Sequence, residues 1–408
     1  MAPYTAKWGI LATGGIAECF TKDILTDPAA RDVNDVQHEI VAVASSSSVD
    51  RARDFIKKID GPSSAAVYGS YAELVADPNV DIIYVATPHS HHFQNAMLAL
   101  EAGKNVLCEK ALTVTAAQTK KLYEVAKSKN LFFMEAVWTR YFPLSIKIRE
   151  LIQSGAIGTV YRTFGKKNAC RRYTIKLTPP IADLSFNKNT DSQDLDFPDS
   201  NRMVNPDLAG GALLDLGIYS LTWVFQSLYH VQPEAEKEAP KVVASINKYR
   251  TGADESTSII CQFPKHNSVG IATTSLRIAT DVDGLYTGGP AIRIQGSKGE
   301  IQVTGPAFRP TEYKVIKSDA NGKVEVVNCP IPTDPKRNNW GHGMFWEADE
   351  CARCLQDGKK ESASMPWSES IVIMEVMDSA LKQGGVSYPD LITTDVFDPN
   401  SPLNTGKK

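Results

Sequence analysis

A run of small residues near the start of the chain has the composition of a phosphate-binding turn. The run Ala12-Thr13-Gly14-Gly15-Ile16-Ala17 lies between a predicted strand, Lys7–Leu11, and a predicted helix, Gly14–Leu25. Small residues permit a tight turn, a close approach of the backbone to a pyrophosphate, and close packing of the helix on the sheet. This is the dinucleotide fingerprint with both outer glycines replaced by alanine, and the alternative is a purely structural turn. We predict cofactor contacts at Ala12, Thr13, Gly14, Gly15 and Ile16.

A serine-rich turn follows the second predicted strand, Ile40–Ala44. Its residues are Ser45-Ser46-Ser47-Ser48, and Arg51 comes shortly after them. Enzymes that use NAD usually carry Asp or Glu here to bind the ribose 2′-hydroxyl. Serine hydroxyls and a guanidinium instead suit a 2′-phosphate, which a carboxylate would repel. We therefore predict NADP as the cofactor, bound through Ser45, Ser46, Ser47 and Arg51. The alternative is a solvated turn that caps the next helix.

Two further polar segments follow predicted strands. Thr87-Pro88-His89-Ser90-His91-His92 comes after the apolar run Asp81–Ala86, and Cys108-Glu109-Lys110-Ala111 closes the strand Asn105–Cys108. The carboxyl ends of parallel strands are where α/β folds bind ligands. A lysine there can hold a nicotinamide ribose and a reacting oxygen, or it can form only a surface salt bridge. We expect cofactor contacts at Thr87, Pro88, His92, Glu109 and Lys110.

Metal binding is the other interpretation of the three histidines. No acidic or cysteine partner completes a ligand set near them, and Cys351-x-x-Cys354 has no second pair at metal-ligand spacing. We predict no metal.

The elements that position these residues fall into two groups. Within the first 135 residues, strands alternate with helices of a length that specifies βαβ units, and hence a parallel Rossmann sheet. Beyond Trp138, β-branched segments with alternating faces predominate, and helices are predicted near Gly211–Leu228, Trp346–Asp357 and Trp367–Gln383. We predict a Rossmann domain over residues 1–137 and an α+β domain over residues 138–408 with an open, mostly antiparallel sheet.

Three more segments complete a recognisable pattern: Glu135–Pro143, Gly210–Tyr219 and Trp346–Ala348. With Glu109-Lys110, they resemble the glucose-fructose oxidoreductase/inositol dehydrogenase/rhizopine catabolism family over almost the whole chain. In that family a Glu-Lys-Pro signature follows the fifth strand, and its lysine is catalytic. Ala111 replaces the proline here, a departure shared by a subgroup of dimeric dihydrodiol dehydrogenases and fungal NADP-dependent D-xylose dehydrogenases. Most of the wider family has His where Tyr219 stands.

The resemblance implies a mechanism. Tyr219 would take the proton of a substrate hydroxyl while hydride passes to the nicotinamide. A free tyrosine, with a pKa of about 10, is a poor base at neutral pH, and the ammonium of Lys110 would favour the phenolate. Asp215 lies four residues earlier on the same predicted helical face and would orient this pair or contact substrate. Trp138 and Arg140 are expected to line the substrate pocket, although an aromatic such as Trp138 is as often plain core.

The function implied is NADP-dependent oxidation of a cyclic polyol, with D-xylose oxidised at C1 to D-xylono-lactone as the first choice. Oxidation of a trans-dihydrodiol to a catechol is the alternative within the enzyme class. A non-catalytic NADP-binding regulator is the alternative outside it, although such a protein needs neither Lys110 nor Tyr219. The resemblance also implies a homodimer formed through the open sheet.

One segment does not fit the pattern. Phe164–Pro180 is strongly basic, lacks a clean periodicity and ends in two prolines, which a central strand would reject. In relatives the preceding strand runs directly into the counterpart of Ile181–Ser185. We interpret residues 164–180 as an atypical insertion that interrupts the strand, namely intron sequence translated from an unspliced transcript or included by an imperfect gene model. The alternative is a basic loop that binds an acidic partner or a cofactor phosphate.

Composition limits the partners. A formal net charge of -3 argues against a general affinity for nucleic acid, and seven cysteines without a framework pattern indicate reduced thiols. We expect no apolar stretch as long as the roughly eighteen residues that a membrane-spanning helix needs. We expect a cytoplasmic protein with a small sugar or diol substrate and no nucleic-acid or membrane partner.

Overall fold

The computed structural model describes residues 2–169, 197–281, 285–319, 321 and 323–406. The chain divides into two compact units. The first unit comprises Met1–Trp138, Ile331–Ile371 and Asp390–Lys408, and the second comprises Thr139–Pro330 and Val372–Pro389. This corrects the prediction of a single second domain over residues 138–408, because two later segments return to the first unit.

Fourteen strands are described, in two sheets. They are β1 (Tyr4–Leu11), β2 (Val36–Ala44), β3 (Ala66–Tyr68), β4 (Ile82–Val85), β5 (Asn105–Glu109), β6 (Phe133–Ala136), β7 (Val160–Ala169), β8 (Lys241–Lys248), β9 (Asp254–Phe263), β10 (Ser268–Ala279), β11 (Ile292–Gly296), β12 (Gly299–Val303), β13 (Glu312–Lys317) and β14 (Val324–Asn328). The first sheet is parallel, with the order β3-β2-β1-β4-β5-β6. This doubly wound order confirms the predicted Rossmann fold.

The α-helices in the described part of the chain are α1 (Gly15–Ile24), α2 (Val49–Lys58), α3 (Tyr71–Ala76), α4 (His89–Glu101), α5 (Ala116–Ser128), α6 (Pro143–Gln153), α7 (Ile218–Leu228), α8 (Phe345–Gln356), α9 (Trp367–Gln383), α10 (Asp390–Thr393) and α11 (Pro402–Thr405). Helices α1 to α5 connect the strands of the first sheet. All four residues of β4 are buried, as expected for a central strand covered on both faces.

Buried polar contacts hold α8 to the first unit. Asp23, on α1, accepts hydrogen bonds from the backbone N–H groups of His342 and Met344 and from the indole of Trp340, so it caps the start of α8. Farther along α8, Asp349 binds the Arg31 guanidinium through two hydrogen bonds of 2.7 and 2.9 Å. Helical periodicity in the sequence shows that α8 has an apolar face, but not which sheet that face covers. The correction to the domain boundary follows from these contacts.

The second sheet has the order β14-β13-β12-β11-β7-β10-β9-β8. Its strands pair antiparallel except for β7 and β10, which are parallel, so the prediction of a mostly antiparallel sheet is confirmed. Helix α7 packs on β7 and β10. The approach is close at Gly165, where an added Cβ would lie 2.7 Å from the carbonyl oxygen of Ser220. Only glycine permits this contact.

Strand β7 corrects part of the predicted insertion. Val160–Ala169 is one continuous strand, hydrogen-bonded to β10 on one side and to β11 on the other, so residues 164–169 do not interrupt it. The reason is alternation: Thr163, Gly165 and Lys167 are buried, while Phe164 and Lys166 are partly exposed. The remainder of the predicted insertion, together with Ile181–Ser185, lies outside the described residues.

One helical stretch is more apolar than we expected. Pro206–Leu228 is long and apolar enough to cross a membrane, which corrects the expectation that no such segment exists. Of its most apolar window, 94% is buried inside the protein. That burial is typical of a core helix, and this stretch contains α7, which covers the second sheet.

Candidate active site

The turn after β1 has the geometry of a phosphate site. Ala12 has φ 91°, in the left-handed region that favours glycine, at the position of the first glycine of the fingerprint. Gly14 precedes α1. Among the described residues, no side chain caps the start of this helix, and an added Cβ on Gly14 would meet no atom within 4 Å. The start of α1 therefore presents its backbone to open space, as a bound pyrophosphate requires.

The serine turn lies at the carboxyl end of β2 in the same unit. Ser48 caps α2 by accepting a hydrogen bond from the Arg51 N–H at 3.2 Å, so the capping alternative accounts for this one serine. The Arg51 guanidinium donates to Ser47 Oγ at 3.1 Å in an exposed contact, and the hydroxyl of Ser47 lies 3.0 Å from that of the buried Ser45. An exposed cation beside two hydroxyl groups suits a phosphate monoester.

Two histidines of α4 hold the turn that carries Lys110. The ring of His89 lies 3.0 Å from the carbonyl oxygen of Lys110. The ring nitrogens of His92 lie 3.0 Å from the carbonyl oxygen of Ala111 and 2.8 Å from that of Thr87. The loops after β4 and β5 are thereby tied together through side chains. The sequence predicted that these loops share one sheet edge, but not that histidines connect them.

Burial keeps His92 neutral. Loss of solvent lowers its pKa to about 4, which outweighs the carbonyl contacts that favour the charged ring. The same cause lowers the pKa of His91 to about 4. A neutral ring carries one N–H, so His92 donates to one of its two neighbouring carbonyl oxygens and only packs against the other. Within the described ranges, no three His, Cys, Asp or Glu side chains are grouped to hold a metal ion.

Thr87 and Pro88 occupy the start of α4. Pro88 is the residue before the first helical turn, and Thr87 is 8% exposed. The hydroxyl of Thr87 is buried and has no hydrogen-bond partner among the residues that the structure describes. A buried hydroxyl without a partner is costly in free energy unless a ligand satisfies it. This orphaned hydroxyl at the predicted cofactor edge fits a bound dinucleotide.

Carboxyl groups lie beneath the Lys110 turn. Glu109 accepts hydrogen bonds from the hydroxyl of Tyr84 and from the Lys110 N–H. Glu347, on α8, is fully buried, and within the described part of the chain neither of its carboxyl oxygens has a hydrogen-bond partner. Burial, with the nearby charges of Glu109 and Asp23, raises the pKa of Glu347 well above its usual value. Sequence reasoning gave Glu347 no role, because no local spacing indicates that a helical glutamate faces a buried carboxylate.

The second unit contains the predicted base. Leu213–Gly217 forms a π-helical segment that leads into α7, so the predicted helix is not uniform. Such segments occur often at functional sites. Asp215 lies in this segment, 3.5 Å from the guanidinium of Arg202, and Tyr219 lies in the first turn of α7. The ring centroid of Tyr219 lies 5.7 Å from that of Phe308, another aromatic residue that sequence reasoning did not single out.

Asp254 fixes the start of the π-helical segment. Its Oδ2 accepts hydrogen bonds from the Leu213 N–H at 2.7 Å and from the Thr257 hydroxyl at 3.0 Å. Complete burial raises the pKa of Asp254 to about 6. A residue forty-one positions along the chain from Leu213 therefore sets the local geometry that leads to Tyr219.

The two predicted substrate residues are buried. Trp138 is 3% exposed and stacks on His342, with ring centroids 5.0 Å apart. Arg140 is fully buried, and its carbonyl oxygen accepts a hydrogen bond from Arg149 at 3.0 Å. Most of the predicted cofactor residues come together at the carboxyl edge of the first sheet: the glycine turn, the serine turn, Thr87, His92, Glu109 and Lys110. In the second unit, Asp215 and Tyr219 lie on neighbouring helical turns.

Sequence comparison identifies relatives over the full chain. Residues 7–137 match the profile of an oxidoreductase family with an NAD-binding Rossmann fold, GFO_IDH_MocA. D-xylose 1-dehydrogenase (NADP(+)) of Hypocrea jecorina is 68% identical, over 100% of this chain and 99% of that protein. Human trans-1,2-dihydrobenzene-1,2-diol dehydrogenase is 33% identical, over 94% of this chain and 98% of its own length.

Solved structures share the fold. Levoglucosan dehydrogenase, in complex with NADH and levoglucosan, aligns with a TM-score of 0.72 at 18% identity, over 93% of this chain and 97% of that one. A 3-ketoreductase from Actinomadura kijaniata, in complex with NADP, aligns with a TM-score of 0.66 at 20% identity, over 93% and 98%. With its full-length relatives and its Rossmann unit, the chain belongs to the GFO/IDH/MocA family of oxidoreductases.

Proposed function

We propose that this protein oxidises D-xylose at C1 to D-xylono-lactone with NADP⁺ as the hydride acceptor. The observation that carries this proposal is the 68% identity to an NADP-dependent D-xylose 1-dehydrogenase along the whole chain. The presence of both Lys110 and Tyr219 supports catalysis rather than the silent binding of a cofactor.

The cofactor would lie along the carboxyl edge of the first sheet. The start of α1 at Gly14 would bind the pyrophosphate, and Ser45, Ser46, Ser47 and Arg51 would bind the 2′-phosphate. The buried Thr87 hydroxyl would find there the partner that it lacks among the described residues. When bound, the nicotinamide accepts the hydride from C1 of the sugar.

The side chains of the protein handle the proton. Tyr219 accepts the proton of the anomeric hydroxyl, and Lys110 favours the phenolate through its positive charge and holds the reacting oxygen. His89, His92 and Glu109 position the Lys110 turn through the contacts described above. Asp215, beside the Arg202 guanidinium, orients the reacting groups. Trp138 and Arg140 shape the substrate pocket.

A second candidate function is oxidation of a trans-dihydrodiol to a catechol. It is favoured by the 33% identity to the human trans-1,2-dihydrobenzene-1,2-diol dehydrogenase over 94% of this chain. Both reactions remove a hydride from a carbon that bears a hydroxyl group, so the same base and lysine serve either one.

We place the protein in the cytosol as a homodimer. All six cysteines in the described part of the chain are free thiols, as a reducing compartment requires. The outward face of the second sheet carries an apolar row, formed by Val243, Ile260, Ile271 and Phe164, which are register neighbours on four adjacent strands. Val243 is 62% exposed and Ile260 is 45% exposed. A second copy of this chain would cover the apolar row.

The test is the absorbance of reduced nicotinamide, measured with purified protein, NADP⁺ or NAD⁺, and D-xylose, D-glucose or a trans-dihydrodiol. We expect reduction with D-xylose and NADP⁺. Reduction with the dihydrodiol alone would favour the second candidate. A flat trace with every substrate, while NADP still binds, would support the non-catalytic regulator instead.

A further inference from the structure

The C-terminal part of the chain is anchored beside the serine turn. Helix α11 packs on α3 and α4 of the first unit. The side-chain amide of Asn95, on α4, donates to the carbonyl oxygen of Leu403 at 3.0 Å and to the side-chain oxygen of Asn404 at 2.9 Å. Leu403 is only 7% exposed. The segment Ser401–Gly406 is therefore held in place by buried contacts.

Gly406 is packed directly against Ser46. Its φ is 65°, and an added Cβ would lie 2.9 Å from both the Cβ and the Oγ of Ser46. It would also lie 3.2 Å from the Ser46 carbonyl oxygen. Such distances are shorter than normal van der Waals contact, so a side chain at position 406 would displace the serine turn.

Ser46 also lies near Tyr71, a buried residue on α3. Burial raises the pKa of Tyr71, and the nearby Ser46 and Arg51 oppose that rise. Ser46 belongs to the turn in which the Arg51 guanidinium donates to Ser47 Oγ. The contact with Gly406 therefore bears directly on the position of this serine.

We propose that the segment Ser401–Gly406 positions Ser46 for the 2′-phosphate and so sets the preference for NADP over NAD. The inference rests on the proposed function, which assigns the 2′-phosphate to the serine turn. Gly406 is a positioning residue: it contacts Ser46 and acts through it. A phosphate monoester is bound by several donors in a fixed arrangement, and moving one hydroxyl weakens its binding while leaving NAD unaffected.

The experiment compares two glycine variants with matched backbones. Gly406→Ala adds a Cβ against Ser46, whereas Gly358→Ala adds one at φ 68° with no atom within 4 Å, so both carry similar backbone strain. We expect Gly406→Ala to raise the KM for NADP⁺ about tenfold, the effect of one charge-assisted hydrogen bond, with kcat and the KM for NAD⁺ unchanged. Gly358→Ala should change none of these values. Equal changes for both cofactors, or no change, in Gly406→Ala would overturn the inference.

Two further variants identify the cause. Lys407 and Lys408 follow Gly406 in the sequence and lie outside the described residues. The double variant K407Q/K408Q should retain the preference for NADP⁺, because the proposed effect comes from packing on Ser46. A loss as large as that of Gly406→Ala would assign the effect to the lysine charges and overturn the positioning role.

Arg51→Gln separates this inference from the proposed function. We expect it to raise the KM for NADP⁺ and not that for NAD⁺. If it leaves the ratio of the two unchanged, the 2′-phosphate does not lie at the serine turn, and both proposals fail. If Arg51→Gln lowers the preference while Gly406→Ala does not, the cofactor site stands and the role of the C-terminal segment is rejected.

Discussion

At the scale of single residues, Tyr219→Phe tests the hydroxyl of the proposed base. Tyr219 is 6% exposed, and its ring lies against Phe308. Tyr219→Phe keeps the ring and its packing, and it removes the group that accepts the proton. We expect kcat to fall by roughly 10²-fold or more, as measured for other general bases, with the Kd for NADPH unchanged. Steady-state kinetics and a fluorescence titration with NADPH measure the two values.

Tyr229→Phe is the matched control, because Tyr229 is another buried tyrosine, at the end of the same helix. It should retain full activity. If Tyr219→Phe also retained full activity, Tyr219 would lose its assigned role as the base.

His92 should make the stability of the protein depend on pH. Its folded-state pKa of about 4 lies below the value of about 6.5 for an unfolded chain. Between these values the unfolded state binds more protons, so stability falls as the pH drops from about 6.5 to 4. The difference corresponds to roughly 3 kcal/mol. His92→Gln keeps a polar side chain without the titration, and we expect it to flatten this part of the profile.

Urea unfolding at several pH values measures the effect as the difference between wild type and variant, since other groups titrate in the same range. Burial raises the pKa of Asp254 to about 6, for example, which gives a slope of the opposite sign between about pH 4 and 6. His266→Gln, in the turn between β9 and β10, is the control. Parallel profiles for wild type and His92→Gln would show that His92 is not buried as a neutral group.

The local motifs of the site could be predicted from the sequence, and their partners could not. The turn at Gly14 and the loop at Lys110 have spacings that mark them, because tight turns and strand ends restrict residue type. Glu347, His89 and Phe308 act through contacts made across the fold. No spacing in the chain indicates that His89 lies against the carbonyl oxygen of Lys110.

At the scale of elements, helix α7 shows where local patterns stop being informative. The apolar run over Gly211–Leu228 predicted one helix, and most of it is helical. The segment Leu213–Gly217 is π-helical, however, and it begins where the Leu213 N–H donates a hydrogen bond to the Asp254 carboxylate. Asp254 lies on β9, a strand distant in the sequence. A helix boundary fixed by a residue that far along the chain has no local capping signal.

Strand β7 yields a prediction about residues 164–180. Their deletion would join Thr163 to Ile181-Ala182-Asp183-Leu184, placing Ala182 in the buried position of Gly165 and Leu184 in that of Lys167. Lys167 is 4% exposed, with its ammonium 4.7 Å from the ring centroid of Phe308. Leu184 would replace a buried charge, but the Cβ of Ala182 would meet the carbonyl oxygen of Ser220 at 2.7 Å, where only glycine fits. Because overpacking against a backbone atom is destabilising, the deletion variant should unfold at a lower temperature.

Circular dichroism during heating measures this change, and sequencing of the transcript tests the intron hypothesis directly. Codons for residues 164–180 in the mature message would reject the intron. A deletion variant that is insoluble or unfolded would show that these residues form a required part of the strand.

At the scale of the whole molecule, the apolar row on the second sheet predicts an effect on assembly. Ile260→Lys places a charge at the centre of the row, where it would have to be buried on dimer formation. We expect the variant to elute as a monomer in size-exclusion chromatography with light scattering, while the wild type elutes as a dimer. Val396→Lys, at a side chain that is 68% exposed and outside the sheet, should leave the dimer intact.

A wild-type protein that is monomeric at micromolar concentration would reject the dimer, and a dimeric Ile260→Lys variant would place the interface elsewhere.

The two-unit plan was predictable only in its first part. Alternating strands and helices mark the Rossmann sheet, because each βαβ unit is local in sequence. Two later segments, Ile331–Ile371 and Asp390–Lys408, also belong to the first unit. Their place in it depends on contacts such as that of Arg31 with Asp349, which joins positions more than three hundred residues apart.

This return has a consequence during synthesis. The six strands of the first sheet leave the ribosome early, whereas α8 and α11, which cover part of that unit, emerge near the end of translation. A nascent chain therefore carries an unfinished nucleotide-binding half while the whole second sheet is being made, with the apolar surface under α8 open to chaperones. A truncated product that stops before residue 401 leaves Asn95 without its partners Leu403 and Asn404. Its nucleotide-binding unit therefore stays incomplete after release from the ribosome.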